Sequence, residues 1–415
     1  MALLDAVNAP KIVVEFDYGW RGIFTIAISP LGGTDVLGGT AGTNWQAIPT
    51  TDIRSISIRR GRTREDQANQ PGTLTMVVDN RSGNYDPDNA SSPYQWYGYS
   101  TLMRGMGIRV WAVYGSSIVY NKSGNVYNQA SLPYSGNTNY ELLYTGFLEQ
   151  VATDNSLDPV VTFTATDGLA ILGAQNLAQI TSSYSGDTTA QRIGRVLDSV
   201  GWSPRSLTGT RQMQPTTYGT TALASCEQAA ACEFGRFHID RKGVATLIPY
   251  ENLKTTPIRF ALSDTRAVGT VEYDKIVTTP GARYLTNQAT LVQVSGNPPT
   301  SQTASVTNSI NRFGTYAKSF NVPLLDNGVA ATMAGYYANR WAFPLTRVDR
   351  IEFDALGLTT QWASILATEL GDRVTVARTT VDSRSLSYTN LVESISHDIT
   401  PNSWRIGLDL SPSTF

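Results

Sequence analysis

Reactive side chains are scarce in this chain: two histidines and two cysteines among 415 residues. Two cysteines cannot build a disulfide framework. Cys226 and Cys232 fall in a predicted helix, where Cys226 shares an apolar face with Leu223, Ala230 and Phe234. Both are expected as free thiols of a protein folded in a reducing cytoplasm. His238 and His397 belong to no His-Glu-x-x-His or His-x-His pattern, so the zinc hydrolase signatures are missing. A Cys226–His238 nucleophile pair would use a cysteine that the helical pattern assigns to the core. No Gly-x-Ser-x-Gly, P-loop or Gly-x-Gly-x-x-Gly stands between a strand and a helix. No catalytic, cofactor-binding or metal-binding residue, no cofactor and no enzymatic activity are expected of this chain.

Long apolar runs are also missing. Nothing approaches the roughly 18 residues of a membrane-spanning helix, and the N-terminus has neither a basic stretch nor an apolar core of the signal-peptide kind. No membrane insertion is expected. Nor is there an excess of charge: 32 basic against 34 acidic residues give a net charge of −2. That balance argues against a protein whose task is to neutralise many phosphates.

What is present favours strands and turns. Hydrophobic residues make up 41% and charged residues 16%, a folded composition, and 35 glycines and 20 tyrosines lean towards β structure. The length predicts about two to four domains. Near the C-terminus, Trp404, Ile406, Leu408 and Leu410 share one face of a strand, while Arg405 and Asp409 take the other. The turn Thr400-Pro401-Asn402-Ser403 joins it to the segment Tyr388-Thr-Asn-Leu-Val-Glu-Ser-Ile-Ser-His-Asp398.

That segment has an echo, Tyr144-Thr-Gly-Phe-Leu-Glu-Gln-Val-Ala-Thr-Asp154, with Tyr, Thr, Glu and Asp in register. Each copy is preceded by Gly-x-Arg-Val, at Gly107 to Val110 and at Gly371 to Val374, and followed by another strand. Three strands in the same order twice predict a duplicated β unit. The Gly-to-Tyr spacing is 37 residues in the first copy and 17 in the second, and the extra length matches a polar surface loop over residues 121–139.

In chain order, residues 11–17, 23–29, the stretch holding Ile56 and Ile58, and 73–79 read as strands, with a Gly-rich loop over 32–44. Asp187 and Thr188 cap a helix carrying Ala190, Ile193, Leu197 and Val200, which stops at Gly201. A second helix runs from about 222 to 234 and stops at Gly235, followed by a hairpin with an Asp-Arg-Lys-Gly turn. Strands return around 268–278 and 294–308, a helix carries Ala330, Met333, Tyr337 and Trp341, and 362–370 reads as a short helix or strand. The acidic stretch Asp79, Asp86, Asp88, Asn89 lacks the spacing of a calcium loop and reads as a solvated turn. Arg59, Arg60, Arg62 and Arg64 read as a solvated hairpin loop more than as an anion patch. Glu149 and Glu393 recur in the repeat, which favours a structural role in both copies over a glycosidase pair.

With these segments on view, the chain resembles the tail hub (baseplate hub, or tail-tip) proteins of long-tailed bacteriophages. The resemblance is carried by Arg59-Arg-Gly-Arg62, Gly72-Thr-Leu-Thr-Met-Val-Val-Asp-Asn80, Tyr85-Asp-Pro87 and Ser92-Pro-Tyr94. It continues through Thr189-Ala-Gln-Arg-Ile-Gly-Arg-Val-Leu-Asp-Ser-Val-Gly-Trp202, Glu233-Phe-Gly-Arg-Phe237, Lys242-Gly243 and Arg312-Phe-Gly314. It closes on Leu370-Gly-Asp-Arg-Val-Thr-Val376, Leu391-Val-Glu-Ser-Ile-Ser-His397 and Trp404. It implies a mainly β, multidomain α+β protein with two related β-barrel domains flanking a small α/β domain. The first barrel is expected over 1–172 with the insertion near 120–140, and the α/β domain over 173–262. A connecting β-rich domain with one helix takes 263–345. The second barrel takes 346–415, completed by strands from 263–290.

The resemblance further implies a homotrimer whose six barrels form a pseudo-sixfold ring joining a distal tail protein or tail-tube ring to the tip. Its other implied partners are the tape measure protein and further tail-tip or receptor-binding proteins, with genomic DNA passing through without specific binding. The expected location is the virion tail tip, after assembly in the host cytoplasm. Hubs of this kind often carry an added C-terminal peptidase, lysozyme or fibre domain, and here the second copy is followed at once by the chain end. The alternative is a receptor- or carbohydrate-binding minor tail protein, with eight Trp and 20 Tyr as candidate sugar platforms.

Overall fold

The computed structural model describes residues 10–18, 44–65, 67–96, 99–114, 139–177, 185–216, 221–279, 281–293, 299–356, 358 and 361–413. The expected strand over 23–29, the Gly-rich loop up to residue 43 and the surface loop over 121–138 lie outside them, as do residues 294–298.

The first region contributes β1 (Lys11–Asp17), β2 (Trp45–Ala47), β3 (Ile53–Gly61), β4 (Gln70–Asp79), a short ribbon of β5 (Gln95–Trp96) and β6 (Tyr99–Ser100), then β7 (Gly107–Tyr114), β8 (Asn139–Asp154) and β9 (Val160–Thr166). The middle contributes α1 (Gly168–Ala174), α2 (Thr189–Ser199), β10 (Arg205–Leu207), α3 (Ala222–Ala231), β11 (Arg236–Ile239), β12 (Ala245–Ile248) and α4 (Tyr250–Leu253). Next come β13 (Ile258–Ser263), β14 (Thr270–Glu272), β15 (Lys275–Thr279), β16 (Gln288–Gln293), β17 (Thr300–Ser305), α5 (Thr307–Phe313), β18 (Ala317–Val322) and α6 (Asn327–Trp341). The chain closes with β19 (Arg347–Asp354), α7 (Trp362–Leu366), β20 (Arg373–Thr379), β21 (Ser385–Thr400) and β22 (Ser403–Pro412).

The duplication expected from the sequence is written into the strand order. One run pairs β2-β1-β7-β8-β9-β4-β3, and the other pairs β14-β13-β20-β21-β22-β19-β15. Position by position these are the same arrangement, with the Gly-x-Arg-Val strands β7 and β20 third and the Tyr…Asp strands β8 and β21 fourth. The five strands from the third to the seventh position are antiparallel in both. The first two differ, because β13 runs parallel to both its neighbours whereas β1 runs antiparallel to both.

The two units are one sheet. β21 is 16 residues long; its first half pairs with β20, and its second half, Ser394 to Ile399, pairs with Ile56 to Gly61 of β3. Gly61 sits at this seam with φ +98°, and a Cβ there would lie 2.2 Å from the Glu393 carbonyl oxygen. A glycine is what lets the two backbones approach.

A closed barrel was expected in each unit, and among the described residues no ring of strand pairings closes. The end strands β2 and β14 are three residues each, too short for a ladder to the far end. Each is also followed almost at once by the strand at the other end, β3 or β15, so chain connection takes the place of a pairing. The mainly β, multidomain architecture itself holds.

Alternation buries one face of these strands. Ile108, Val110 and Ala112 of β7, Leu74, Met76 and Val78 of β4, and Trp404, Ile406 and Leu408 of β22 are at most 1% exposed and belong to one apolar core that spans both units. Each large side chain so buried contributes about 1.5–3 kcal/mol. A second core gathers Leu169, Ile193, Cys226, Phe237 and Leu247 with Leu291, Val322 and Met333. It lies between α1, α2, α3 and α6 and two three-stranded sheets, β10-β12-β11 and β17-β16-β18. α2 begins with a capping box in which Thr188 and Gln191 exchange hydrogen bonds.

Candidate functional site

The paired glutamates of the repeat occupy the same backbone feature. Between β8 and β9 the register jumps from Leu148 to Gln150, and between β21 and β22 it jumps from Val392 to Ser394. Glu149 and Glu393 are therefore the extra residues of two β-bulges, and a bulge re-aims the side chain it carries. Around Glu393 that re-aiming builds a buried cluster of charged side chains.

Glu393 is 1% exposed. Arg236 Nη2 and Arg62 Nε each donate to its Oε2 at 2.6 Å, and Ser411 Oγ donates to Oε1 at 2.5 Å. Arg236, from the start of β11, is itself fully buried and also donates to the Val392 carbonyl at 2.6 Å. Burial alone would raise the Glu393 carboxyl, but Arg236 and Arg62 outweigh it and hold it at about 2. Burial pushes the Arg236 guanidinium down to about 10 against the pull of Glu393. Pairs like this add little net stability, because desolvation offsets the attraction, yet removing one partner is expensive. Their consequence is positional: Arg236 belongs to the α/β unit, Arg62 to the first sheet unit and Glu393 to the second.

Two flanking clusters repeat the theme. Arg60 Nη1 donates to Glu369 Oε1 at 2.7 Å, while the Arg241 backbone N–H donates to Glu369 Oε2 at 3.1 Å and Arg241 Nη2 lies 3.0 Å from Glu141 Oε2. Burial would raise the Glu369 carboxyl, and Arg60 beside it holds it at about 2. On the other side Glu65 pairs with Arg340 of α6 and, at 2.9 Å, with Arg347 of β19. Arg340 also reaches the Pro412 carbonyl at 3.1 Å.

The basic run is thus a correction to the sequence expectation. Arg60 and Arg62 are not on a solvated loop; they enter the contact between three parts of the chain, with Arg59 outside at 3.3 Å from Asp409. The acidic stretch forms turns: Asp79 binds Arg81 and Arg54, the Asp86 carboxylate accepts the Asp88 N–H, and the Asn89 amide reaches the Gly83 carbonyl. Among the described residues no group of three or more His, Cys, Asp or Glu is placed to hold a metal.

The histidines are buried and apart from one another in role. Burial pushes His238 down to about 3, and neither ring nitrogen has a hydrogen-bond partner among the described residues. Burial likewise pushes His397 to about 3, with Trp404 Nε1 donating to its Nδ1 at 3.2 Å. Cys226 and Cys232 are free and buried, and burial drives both thiols up, away from the reactive thiolate. Sequence reasoning found Glu393 but not Arg236, Glu369, Glu65 or Arg340 as its company. The recurrence of the glutamate in both copies was the signal the amino-acid sequence offered.

No family model matches the chain, and no curated protein matches it in sequence. Its fold has matches. The tail protein from Neisseria meningitidis MC58 superposes with a TM-score of 0.59 at 10% identity, covering 97% of this chain and 96% of that one. The 43 kDa tail protein of prophage MuSo2 from Shewanella oneidensis gives 0.55 at 11% identity, with 97% and 98% covered. The fold is that of phage tail proteins. Both matches run nearly end to end, over the sheet units and the α/β unit alike.

Proposed function

We propose that this chain is a structural, non-enzymatic hub protein of a phage tail tip, acting as a homotrimeric ring. The observation that carries the reading is the pair of seven-strand units with one strand order, fused edge to edge through β21 and β3. Three chains so built present six similar units, which suits a junction between a sixfold tube and a threefold tip. On this reading the two units would be the two hub domains, the second one beginning at β13 (Ile258–Ser263), ahead of the expected strands from 263–290, and the segments expected as an α/β domain and a connecting domain would pack around one shared core.

The charged joint supports the same reading. A ring passing load between tube and tip needs its parts held at fixed angles, and Arg62, Arg236 and Glu393 tie all three parts at one point. The net charge of −2 suits a lumen through which DNA slides without sticking. The partners would be a distal tail protein or tube ring on one side, and the tape measure protein and other tip or receptor-binding proteins on the other. The location would be the virion tail tip, reached after assembly in the host cytoplasm.

The test is the mass of the purified chain in solution by sedimentation. The expected species weighs three times the 45.1 kDa protomer. A stable monomer at all concentrations, also when mixed with the neighbouring tail ring, overturns the proposal.

A further inference from the structure

The two units share one strand order, yet their long strands β8 and β21 are not covered alike. Both change partners at the same point. The Leu148 carbonyl accepts the Gly105 N–H while the Leu148 N–H donates to the Met106 carbonyl, and Val392 does the same with Gly371 and Asp372. Past that point β21 is taken up by β3, and Ser394, Ser396 and His397 are buried. The matching stretch of β8, Gln150 to Asp154, pairs with β9 on one edge and with no strand on the other among the described residues. Gln150, Ala152, Thr153 and Asp154 are exposed.

A second edge is left over in the other unit. β3 and β15 hold the same seventh place in their strand orders. β3 spends its outer edge on β21, whereas β15 pairs with β19 alone among the described residues. Ile276 packs against the core, and Val277 points outward, 39% exposed. An unpaired row of N–H and C=O groups is a template for another strand. β15 therefore lacks what β3 has found, and the end of β8 lacks what the end of β21 has found.

We propose that β15 of one chain pairs antiparallel with Gln150 to Asp154 of β8 in a second copy, repeating between chains the β3–β21 seam within the chain. The inference rests on the ring reading above and names the surfaces that would close the ring. Such a contact is head to tail: each chain offers one edge of each kind, so the pairing passes from chain to chain until it closes. The internal seam also fixes the register. Ser57 lies across from Thr75, Thr75 from Thr164, and Thr164 from Gln150. In the second unit the same steps run from Val277 to Arg350, Asp409 and Ser394. Gln150 and Ser394 each follow the bulged glutamate, so Val277 stands where Ser57 stands. Ser57 faces Asp398, whose twin in the repeat is Asp154. Val277 of one chain then faces Asp154 of the next. A pairing of β15 with β15, or of β8 with β8, has no counterpart inside the chain.

Cross-linking of the full chain with a short bismaleimide tests this. Directly opposite residues of an antiparallel pair bring their Cβ atoms to about 5 Å, and the native Cys226 and Cys232 are buried. The double variant Val277→Cys with Asp154→Cys is expected to give covalent species of two and three times the 45.1 kDa protomer, and either single variant none. Val277→Asp sets two carboxylates opposite each other and is expected to weaken association by about tenfold or more in sedimentation, with Asp154→Lys beside it restoring the loss. A wild-type chain that never associates ends the ring reading and this seam with it. A wild-type trimer whose double variant stays uncross-linked, single variants that cross-link as readily as the double, or full association of V277D with an unchanged unfolding curve overturns the seam alone.

Discussion

The two sheet units share a strand order and a bulge, and they spend the same residues differently. In the first unit Glu149 is about one-third exposed, 2.9 Å from the mostly solvated Arg104, with Thr166 Oγ1 donating to it at 3.1 Å. In the second unit Glu393 is sealed under Arg62, Arg236 and Ser411. The Gly-x-Arg-Val arginines diverge as well. Arg109 stacks on two indoles at a cleft, whereas Arg373 donates to the carbonyls of Lys254 and Thr256 and pins the entry to β13. The tyrosines follow suit: Tyr144 is fully buried and donates to the Gly72 carbonyl, while Tyr388 only packs against the edge of the core. Backbone geometry was kept in both copies, and what was laid against each copy decided the task of its side chains. The α/β unit covers the second bulge, so its glutamate became a joint.

The largest effect should separate the two glutamates. Glu393→Ala leaves Arg236 and Arg62 buried without a counter-charge and is expected to cost about 3–5 kcal/mol, read as a shift in the urea midpoint. Glu149→Ala, at a solvated pair, is expected to stay within about 0.5 kcal/mol. Equal losses in both would end the distinction drawn between the copies.

Acid should expose the same asymmetry next. Glu393 and Glu369 titrate at about 2 in the folded chain against 4.5 unperturbed, so their stabilisation is present above about 4.5 and is lost as pH falls towards 2. His238 and His397 titrate at about 3 against 6.5. Below 6.5 the unfolded chain takes up their protons and the folded chain does not, so stability drops from about pH 6.5 down to 3, by up to about 1.4 kcal/mol per histidine per pH unit. Asp167, the N-cap of α1, works the other way: burial raises it from 3.8 to about 7, so it favours the folded state as pH falls through that range. Thermal melts between pH 7 and 4 should therefore decline, and H238Q with H397Q should flatten the decline. A wild-type melting temperature that holds steady or rises over that interval would refute the sign.

The smallest effect lies at the ends of the two repeat strands. Asp398 accepts a hydrogen bond from Ser57 Oγ across the seam at 2.6 Å, while Asp154, among the described residues, accepts the Ser156 N–H of its own turn. Asp398→Ala should cost about 0.5–1 kcal/mol and Asp154→Ala less than about 0.5. A larger loss at Asp154 would mean that the seam does not distinguish them.

Much of the sheet was readable in advance. The helices at α2, α3 and α6 and the hairpin of β21 and β22 follow from apolar periods, caps and turn residues, which act over a few neighbours. So does the repeat, since matched Tyr, Glu and Asp positions stay in register whatever surrounds them. The joint was not readable. Arg60 and Arg62 sit in a run of arginines of the kind that usually faces water, and they are buried because Glu369, Glu393 and Arg236 arrive from more than 170 residues away. α5 went unnoticed for a related reason: Thr307–Phe313 carries no side-chain cap and only Ser309 is buried, so the sequence shows no apolar stripe there.

The amino-acid sequence by itself determined the strand periods, the two copies and the absence of a reactive histidine or cysteine motif, because these depend on side-chain alternation and local spacing. Tertiary structure alone decided that β21 would leave one unit halfway and pair with the other, and that one repeated glutamate would be sealed while its twin stayed wet. A bulge aims a side chain, but only packing sets the dielectric and the counter-charges it meets.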